Sequence, residues 1–143
     1  DETTADAWRA RAAYIPQRPH FPDITLGEWL DPRQSGQDPW QALALAQAAD
    51  IVRRLPLGLD TRLGETGGGV SGGEARRLMV ARAAMIGGDV ILADEPTADL
   101  EEETARKVIA GLLELNARGR ALVVATHDPA LMAAMDSEIR VAA

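Results

Sequence analysis

The fold class is decided by one stretch of the chain, Val90-Ile91-Leu92-Ala93-Asp94-Glu95-Pro96-Thr97. Its first four residues form a continuous apolar run, which predicts a strand that is buried on both faces. A second apolar run, Ala121-Leu122-Val123-Val124-Ala125, ends in Thr126-His127-Asp128. An amphipathic helical segment over residues 100–116 separates the two runs. The order strand, helix, strand therefore predicts an α/β fold with a parallel sheet.

Polar side chains follow both predicted strands at the edge where ligands bind in open α/β sheets. Asp94 can hold Mg²⁺ directly or through its waters, and Glu95 can polarise an attacking water. His127 can contact a γ-phosphate. Each feature taken alone also has a simpler explanation, namely acidic turn residues before a proline and a histidine beside the Asp128-Pro129 helix cap.

A third motif, Ser71-Gly72-Gly73-Glu74, opens a predicted helix over residues 71–85. Ser71 suits the N-cap position. The start of a helix presents unpaired backbone N–H groups and the positive end of the helix dipole, and glycines let a phosphate approach that backbone. A plain serine cap after a glycine-rich loop is the alternative for this motif alone.

The rest of the chain predicts a short strand at residues 12–15, which ends at Pro16-Gln17. Gln17 can meet a metal ion or water through its amide. Residues 18–39 predict mostly loop with a short helix at 25–30, and residues 40–55 predict one helix with an apolar stripe. Residues 139–141 predict a last strand. Because residues 40–85 are helical without strands, we expect them to form a separate subdomain.

Composition excludes several classes of protein. The apolar content of 46% predicts a globular chain, and the net charge of −7 argues against binding to a nucleic-acid backbone. The absence of cysteine excludes disulfides, thiolate zinc sites and cysteine nucleophiles. No apolar run approaches the length of a membrane span, so we expect no direct membrane insertion.

Together, in this order, the motifs resemble the nucleotide-binding domain of ABC transporters over essentially all 143 residues. The matching motifs are a Q-loop at Tyr14-Ile15-Pro16-Gln17, a signature at Val70-Ser71-Gly72-Gly73-Glu74, a Walker B motif at Val90 to Glu95, a D-loop at Ala98-Asp99-Leu100-Glu101 and an H-loop at His127. Val70 and Glu74 stand where Leu and Gln are commonest in the family, and Glu101 stands where Asp is usual.

The resemblance assigns roles to these residues, with ATP and Mg²⁺ as the implied cofactors. The implied catalytic residues are Glu95, His127 and Gln17. The implied metal-binding residues are Asp94 and Gln17. The residues implied to contact ATP held by a second domain are Ser71, Gly72, Gly73, Glu74 and Glu101.

The implied fold is a partial P-loop NTPase core with a parallel sheet and an α-helical subdomain. Residues 1–18 would end the first part of the core and carry the Q-loop, residues 19–86 would form the helical subdomain, and residues 87–143 would form the RecA-like core. A P-loop has the pattern G-x-x-x-x-G-K-[ST], but the only lysine, Lys107, follows no such glycines. We therefore expect the N-terminal part of the domain to be absent, and the chain alone to be inactive as an ATPase.

The implied function is the C-terminal part of the ATPase of an ABC exporter at the cytoplasmic face of a bacterial inner membrane. Its implied partners are a second nucleotide-binding domain, identical or different, and transmembrane domains. Thr61 to Gly67 is similar to the loop through which exporters touch those domains. Ala7 to Arg11, Asp94 to Ala98 and Ala125 to Leu131 look most like bacterial cysteine- and glutathione-exporting half-transporters of cytochrome bd assembly.

Two other functions are compatible with the same motifs. One is an ABC-type ATPase without a transporter, in DNA repair or translation, although neither a basic surface nor a long heptad insertion supports it. The other is a non-enzymatic module that only presents the signature helix to a partner.

Overall fold

The computed structural model describes Thr4, residues 11–64 and residues 69–139. Several sequence features lie outside these residues: Ala7 to Ala10, Glu65 to Gly67 of the predicted exporter loop, and Val141 of the predicted last strand. Ile139, the first residue of that strand, belongs to no strand and is 90% exposed, so the prediction was wrong at this position.

The described part of the chain contains both strands and helices. They are β1 (Ala12–Ile15), α1 (Leu26–Leu30), α2 (Pro39–Leu45), α3 (Ala49–Arg54), a 3₁₀ turn (Gly58–Asp60), α4 (Gly72–Ile86), β2 (Val90–Asp94), α5 (Glu102–Ala117), β3 (Ala121–Ala125) and α6 (Pro129–Ala133). No helix among the residues described is both long and apolar enough to cross a membrane.

Within the described chain the three strands form one parallel sheet in the order β1-β2-β3. Ile15 pairs with Ala93 and Ala93 with Val124, so the three strands end at the same edge. Helix α5 connects β2 to β3, while all the helices from α1 to α4 lie between β1 and β2 in the chain. The parallel sheet predicted from the strand-helix-strand order is confirmed.

One face of the sheet packs against the helices and the other is largely open. Ile91 and Ala93 are buried in the same apolar cluster as the helical residues. On the opposite face the register places Tyr14, Leu92 and Val123 in one row, with exposed fractions of 55%, 36% and 57%. The prediction that both apolar strands are covered on two faces was wrong, because Leu92 of β2 is exposed and the side chains of β3 alternate between partly buried and exposed positions.

The segment predicted as one helix over residues 40–55 forms two helices. The helix breaks at Gln47, which has a left-handed backbone with a φ of 55°. The buried guanidinium of Arg77 donates to the carbonyl oxygen of Gln47 at 2.6 Å, which satisfies a group left unpaired by the break. The apolar stripe itself is buried as predicted, since Leu43 and Ile51 are each 0% exposed.

Helix α4 lies at the centre of the molecule. Ten of its fifteen residues are buried, because it packs against α1, α2, α5 and β1. It begins at the Ser71 motif and ends just before β2. The helix that carries the motif is therefore held from several sides.

Candidate functional site

The start of α4 is a reciprocal capping box. Ser71 has an extended backbone, and its Oγ accepts a hydrogen bond from the Glu74 backbone N–H at 3.1 Å. The Glu74 carboxylate in turn accepts from the Ser71 backbone N–H at 2.9 Å. The predicted N-cap role of Ser71 is confirmed. A serine hydroxyl has one donor and two acceptor lone pairs, so accepting this bond does not use its proton.

The two glycines of the motif have different surroundings. A Cβ on Gly73 would lie 2.5 Å from Cγ2 of Thr104, so Gly73 lets α4 and α5 approach closely. A Cβ on Gly72 would meet no atom within 4 Å. Gly72 therefore presents open backbone to an approaching group, whereas Gly73 also has a packing reason to be glycine.

Arg54 holds this helix start from outside. Its Nη2 donates to both carboxylate oxygens of Glu74, at 2.8 and 2.9 Å, and to the carbonyl oxygen of Gly69 at 2.9 Å. The role of Arg54 was not predicted, because nothing along the chain indicates which of the adjacent Arg53 and Arg54 turns toward Glu74.

A second group of residues lies at the common edge of the sheet. Asp94 is the last residue of β2, and Glu95 follows with a left-handed φ of 44°. The Glu95 backbone N–H donates to the carbonyl oxygen of Ala125 at 2.7 Å, which extends the pairing of β2 with β3 by one residue. This backbone re-aims the Glu95 side chain relative to an ordinary strand.

Glu95 and His127 lie beside each other. The Glu95 Oε2 accepts from the His127 backbone N–H at 3.4 Å, and Oε1 lies 3.7 Å from Nε2 of the ring. The Glu95 side chain is 22% exposed and that of His127 is 98% exposed. A concavity beside them is lined by Glu95, Val124, Ala125, Thr126, His127, Met132, Met135, Ser137, Glu138 and Ile139.

The loop that carries His127 is fastened to the loop after β2. Thr97 is buried, and its hydroxyl donates to Oδ2 of Asp128 at 2.6 Å. Oδ1 of Asp128 accepts from the Ala130 backbone N–H at 2.9 Å, so Asp128 also caps α6, as the Asp-Pro pair predicts. The hydrogen bond from Thr97 is the main reason why the pKa of Asp128 lies below its ordinary value. The role of Thr97 was not predicted.

Arg76 connects the predicted Q-loop, signature helix and D-loop. It lies on α4, and its Nε donates to the carbonyl oxygen of Gln17 at 3.2 Å, while Nη1 donates to the carbonyl oxygen of Ala98. Its burial lowers the pKa of the guanidinium, and the charge of Asp99 opposes that effect. A buried charge with carbonyl acceptors on two loops fixes those loops relative to α4.

The predicted D-loop makes a tight turn before α5. Asp99 has a left-handed φ of 61°. Glu101 is the N-cap residue of α5, but its side chain makes no capping hydrogen bond and is exposed. Among the residues described, no hydrogen bond or ion pair directly joins the Ser71 group to the Glu95 and His127 group.

The donor set suits Mg²⁺ carried by a nucleotide. No group of three or more His, Asp or Glu side chains is placed to hold a metal within the described part of the chain. Mg²⁺ in nucleotide sites takes one or two protein oxygens, and phosphates and waters complete its shell. Asp94 ends β2 and Gln17 lies two residues after β1, and they offer a carboxylate and an amide oxygen. That chemistry fits such a site and does not fit a metal cage made by protein alone.

Comparisons with known proteins agree with this geometry. A family model described as ABC transporter matches residues 1–98. The chain is 38% identical over 136 residues to the glutathione/L-cysteine transport system ATP-binding/permease protein CydC of Bacillus subtilis (strain 168), which covers 93% of this chain and 24% of that protein. It is 49% identical over 82 residues to the macrolide export ATP-binding/permease protein MacB of Bordetella avium (strain 197N), which covers 57% of this chain and 12% of that protein.

Among solved structures, a bacterial Atm1-family ABC exporter with ATP bound is similar at a TM-score of 0.78 and 28% identity. The match covers 92% of this chain and 23% of that one, so the chain spans about a quarter of the length of this structure and of CydC. The shared fold confirms the predicted P-loop NTPase class with a parallel sheet. The matching motifs, the fold and the extent of the family match together show that this chain belongs to the ABC transporter family.

Proposed function

We propose that this chain is the C-terminal part of the ATPase domain of an ABC exporter, which couples ATP binding and hydrolysis at a dimer interface to export. The observation that carries the proposal is the pairing of Glu95 with His127 at the carboxyl edge of parallel strands. A left-handed backbone holds Glu95 there, and such conformations cluster where a side chain must be aimed. The proposed division is the Q-loop in residues 1–18, the helical subdomain in 19–86 and the RecA-like core in 87–143.

In this proposal each residue at the sheet edge has one task. Asp94 and Gln17 would hold Mg²⁺, which would neutralise charge on the phosphates. Glu95 orients the attacking water, and His127 contacts the γ-phosphate. The N–H groups around Gly72 and the hydroxyl of Ser71 serve ATP held by the second nucleotide-binding domain, since the start of a helix favours anions. Glu101 lies on the same interface.

The proposed partners are a second nucleotide-binding domain and transmembrane domains, at the cytoplasmic face of a bacterial inner membrane. The described half of the proposed coupling loop is well anchored. Leu63 is buried, Arg62 donates to the carbonyl oxygen of Asp23 at 2.8 Å, and Thr61 accepts from the backbone of Leu26 at 2.8 Å. A loop fixed at its base can transmit movement of the helical subdomain.

A small thiol is the proposed substrate class. The relative named for glutathione and L-cysteine transport matches 93% of this chain, and macrolide exporters match between 57% and 87% of it. Uptake of labelled glutathione or cysteine into inverted vesicles that contain the whole transporter tests this. ATP-driven uptake of a macrolide but of neither thiol would contradict it.

The central test is Glu95→Gln in the full-length transporter. Losing the group that orients water removes stabilisation of the transition state, so turnover should fall about 100-fold or more. Binding of ATP should stay within about twofold, because ground-state binding does not use that group. His127→Ala should act in the same direction. The control is Glu102→Gln, the same change at an exposed glutamate of α5. Turnover of Glu95→Gln above half the unmodified rate would overturn the proposal.

Calorimetry on the 143-residue chain tests whether this chain binds ATP without the rest of the transporter. The chain lacks the P-loop pattern, whose backbone and lysine supply most of the grip on phosphate. We expect no tight binding of ATP and no hydrolysis by this chain alone. Micromolar affinity would show that another part of the chain binds the nucleotide.

A further inference from the structure

The signature motif carries a negative charge close to where phosphate would bind. Glu74 lies three residues after Ser71, and its side chain is 20% exposed. A carboxylate that is mostly buried is costly unless a positive or hydrogen-bonding group pairs with it. A carboxylate without such a partner would also repel a nearby phosphate. The Glu74 side chain is nevertheless required locally, because it accepts the hydrogen bond from the Ser71 backbone N–H. The motif therefore depends on some group that offsets the charge.

Arg54 meets that need. Its Nη2 lies 2.8 and 2.9 Å from the two oxygens of Glu74, a charge-assisted contact with both ends of the carboxylate. The same nitrogen donates to the carbonyl oxygen of Gly69 at 2.9 Å, two residues before Ser71. Arg54 thus fixes the backbone before Ser71 and the side chain after it. It comes from α3, which is a different helix.

We propose that Arg54 is a positioning residue of the signature motif. It orients Ser71 through Gly69 and Glu74, and it offsets the charge of Glu74 toward the phosphates of the nucleotide. This inference rests on the proposed function, in which Ser71 serves a nucleotide held by a second domain. In this proposal Arg54 acts through Glu74 and the backbone.

Neighbouring Arg53 provides a matched control. It is exposed on the same helix, and its guanidinium lies 5.5 Å from the ring of Trp40, where it makes a cation–π contact. Arg53→Ala removes the same charge and the same number of atoms as Arg54→Ala. It leaves the contacts of Glu74 intact.

The test is a double-mutant cycle on ATPase activity in the full-length transporter, with Arg54→Ala, Glu74→Gln and the double variant. Arg54→Ala should raise the KM for ATP about fivefold, which corresponds to the free energy of one well-formed ion pair. In the Glu74→Gln background the same change should raise KM by less than about twofold, because the amide has no charge to offset and still accepts from Ser71. Arg53→Ala should leave KM unchanged, and Arg54→Lys should restore part of the loss.

Salt gives an independent readout. Repulsion from an uncompensated Glu74 is screened by ions, so the KM defect of Arg54→Ala should shrink as the ionic strength rises. If Arg54 acted only through its hydrogen bond to Gly69, the defect would be the same in both backgrounds and at every salt concentration. Equal defects in both backgrounds, or an unchanged KM for Arg54→Ala, would overturn the inference.

Glu95→Gln measured in the same preparation separates the two claims. If turnover survives Glu95→Gln, the proposed function fails, and this inference fails with it. If turnover depends on Glu95 but the Arg54 effect is the same in both backgrounds, only the role of Arg54 is rejected.

Discussion

Helix α4 and strand β3 are both built around runs of apolar residues, yet their surroundings differ. In α4, Leu78 to Ala81 are each at most 4% exposed, because helices and a strand surround them. In β3 every second residue faces outward, and Val123 is 57% exposed. An apolar run shows that a segment reaches the core. Whether its second face is covered depends on which neighbours pack there.

The same contrast separates the two parts of the candidate site. The signature motif starts the buried helix and is held by a capping box, by Arg54 and by the close approach of Gly73 to Thr104. Glu95 and His127 lie on loops at the edge of the half-covered sheet, and their contact is long. The signature is therefore held by more contacts than the side chain of His127, which is 98% exposed.

The largest expected difference in stability is between valine-to-alanine substitutions in α4 and in β3. Val80→Ala removes two methyl groups from a site that is 1% exposed and should destabilise the chain by about 2 kcal/mol. Val123→Ala, on the open face, should cost less than about 0.5 kcal/mol. Chemical unfolding of both variants measures the difference. Equal losses would show that the face bearing Val123 is covered after all.

Alanine substitutions of Gly73 and Gly72 compare a buried and an open position within the signature motif. Gly73→Ala places a Cβ 2.5 Å from Thr104 and should cost about 1–3 kcal/mol. Gly72→Ala meets open space and should change stability by less than about 0.5 kcal/mol. Thr104→Ser removes the clashing methyl and should restore much of the stability of Gly73→Ala. Thermal melts of Gly73→Ala, Gly72→Ala, Thr104→Ser and the Gly73→Ala/Thr104→Ser double variant measure these effects. If Thr104→Ser does not restore the stability of Gly73→Ala, the clash with Thr104 is not the cause of the loss.

The link between Thr97 and Asp128 predicts a dependence on pH. The pKa of Asp128 is lowered in the folded chain, so its contribution to stability is present above the ordinary pKa and is lost as the pH falls through the lowered one. Thr97→Val should cost about 1 kcal/mol near neutral pH. The gap to the unmodified chain should narrow in acid. Melting temperatures measured from neutral to acidic pH test this, and a constant gap would mean that Thr97 acts by packing alone.

The smallest expected effect concerns the N-cap of α5. Glu101 occupies the cap without a side-chain hydrogen bond, and the shorter aspartate reaches the N–H groups of the first turn better. Glu101→Asp should therefore stabilise the chain by about 0.5 kcal/mol. Glu102→Asp, one residue inside the helix, should give no gain. A loss of stability in Glu101→Asp would mean that Glu101 has another structural role.

Local chemistry explains which parts of the fold could be predicted. Ser71 and Glu74 form the capping box because both groups lie within one turn, and Asp128-Pro129 starts α6 for a similar reason. The apolar runs correctly predicted strands β2 and β3, because continuous apolar strands are typical of parallel sheets. These features depend on neighbours in the sequence, so they were visible without a structure.

The break of the segment 40–55 was not predictable in the same way. Residues 46–49 read Ala-Gln-Ala-Ala, without the glycine or proline that usually ends a helix. The turn at Gln47 is held by Arg77 from α4, thirty residues further along the chain. Local hydrogen bonds also close this turn, because the backbone N–H groups of Gln47 and Ala48 donate to the carbonyl oxygens of Ala44 and Leu43 at 3.1 and 2.8 Å.

By itself the sequence determined the family, the parallel order of the strands and the identity of the residues at their ends, because each follows from short patterns. Only the tertiary structure decided that one sheet face stays open, that Gly73 is needed for helix packing and that Arg54, rather than Arg53, holds Glu74. Those outcomes depend on contacts between segments distant in the chain. Many pairings of such segments are compatible with the same local patterns, and packing of the whole core selects one of them.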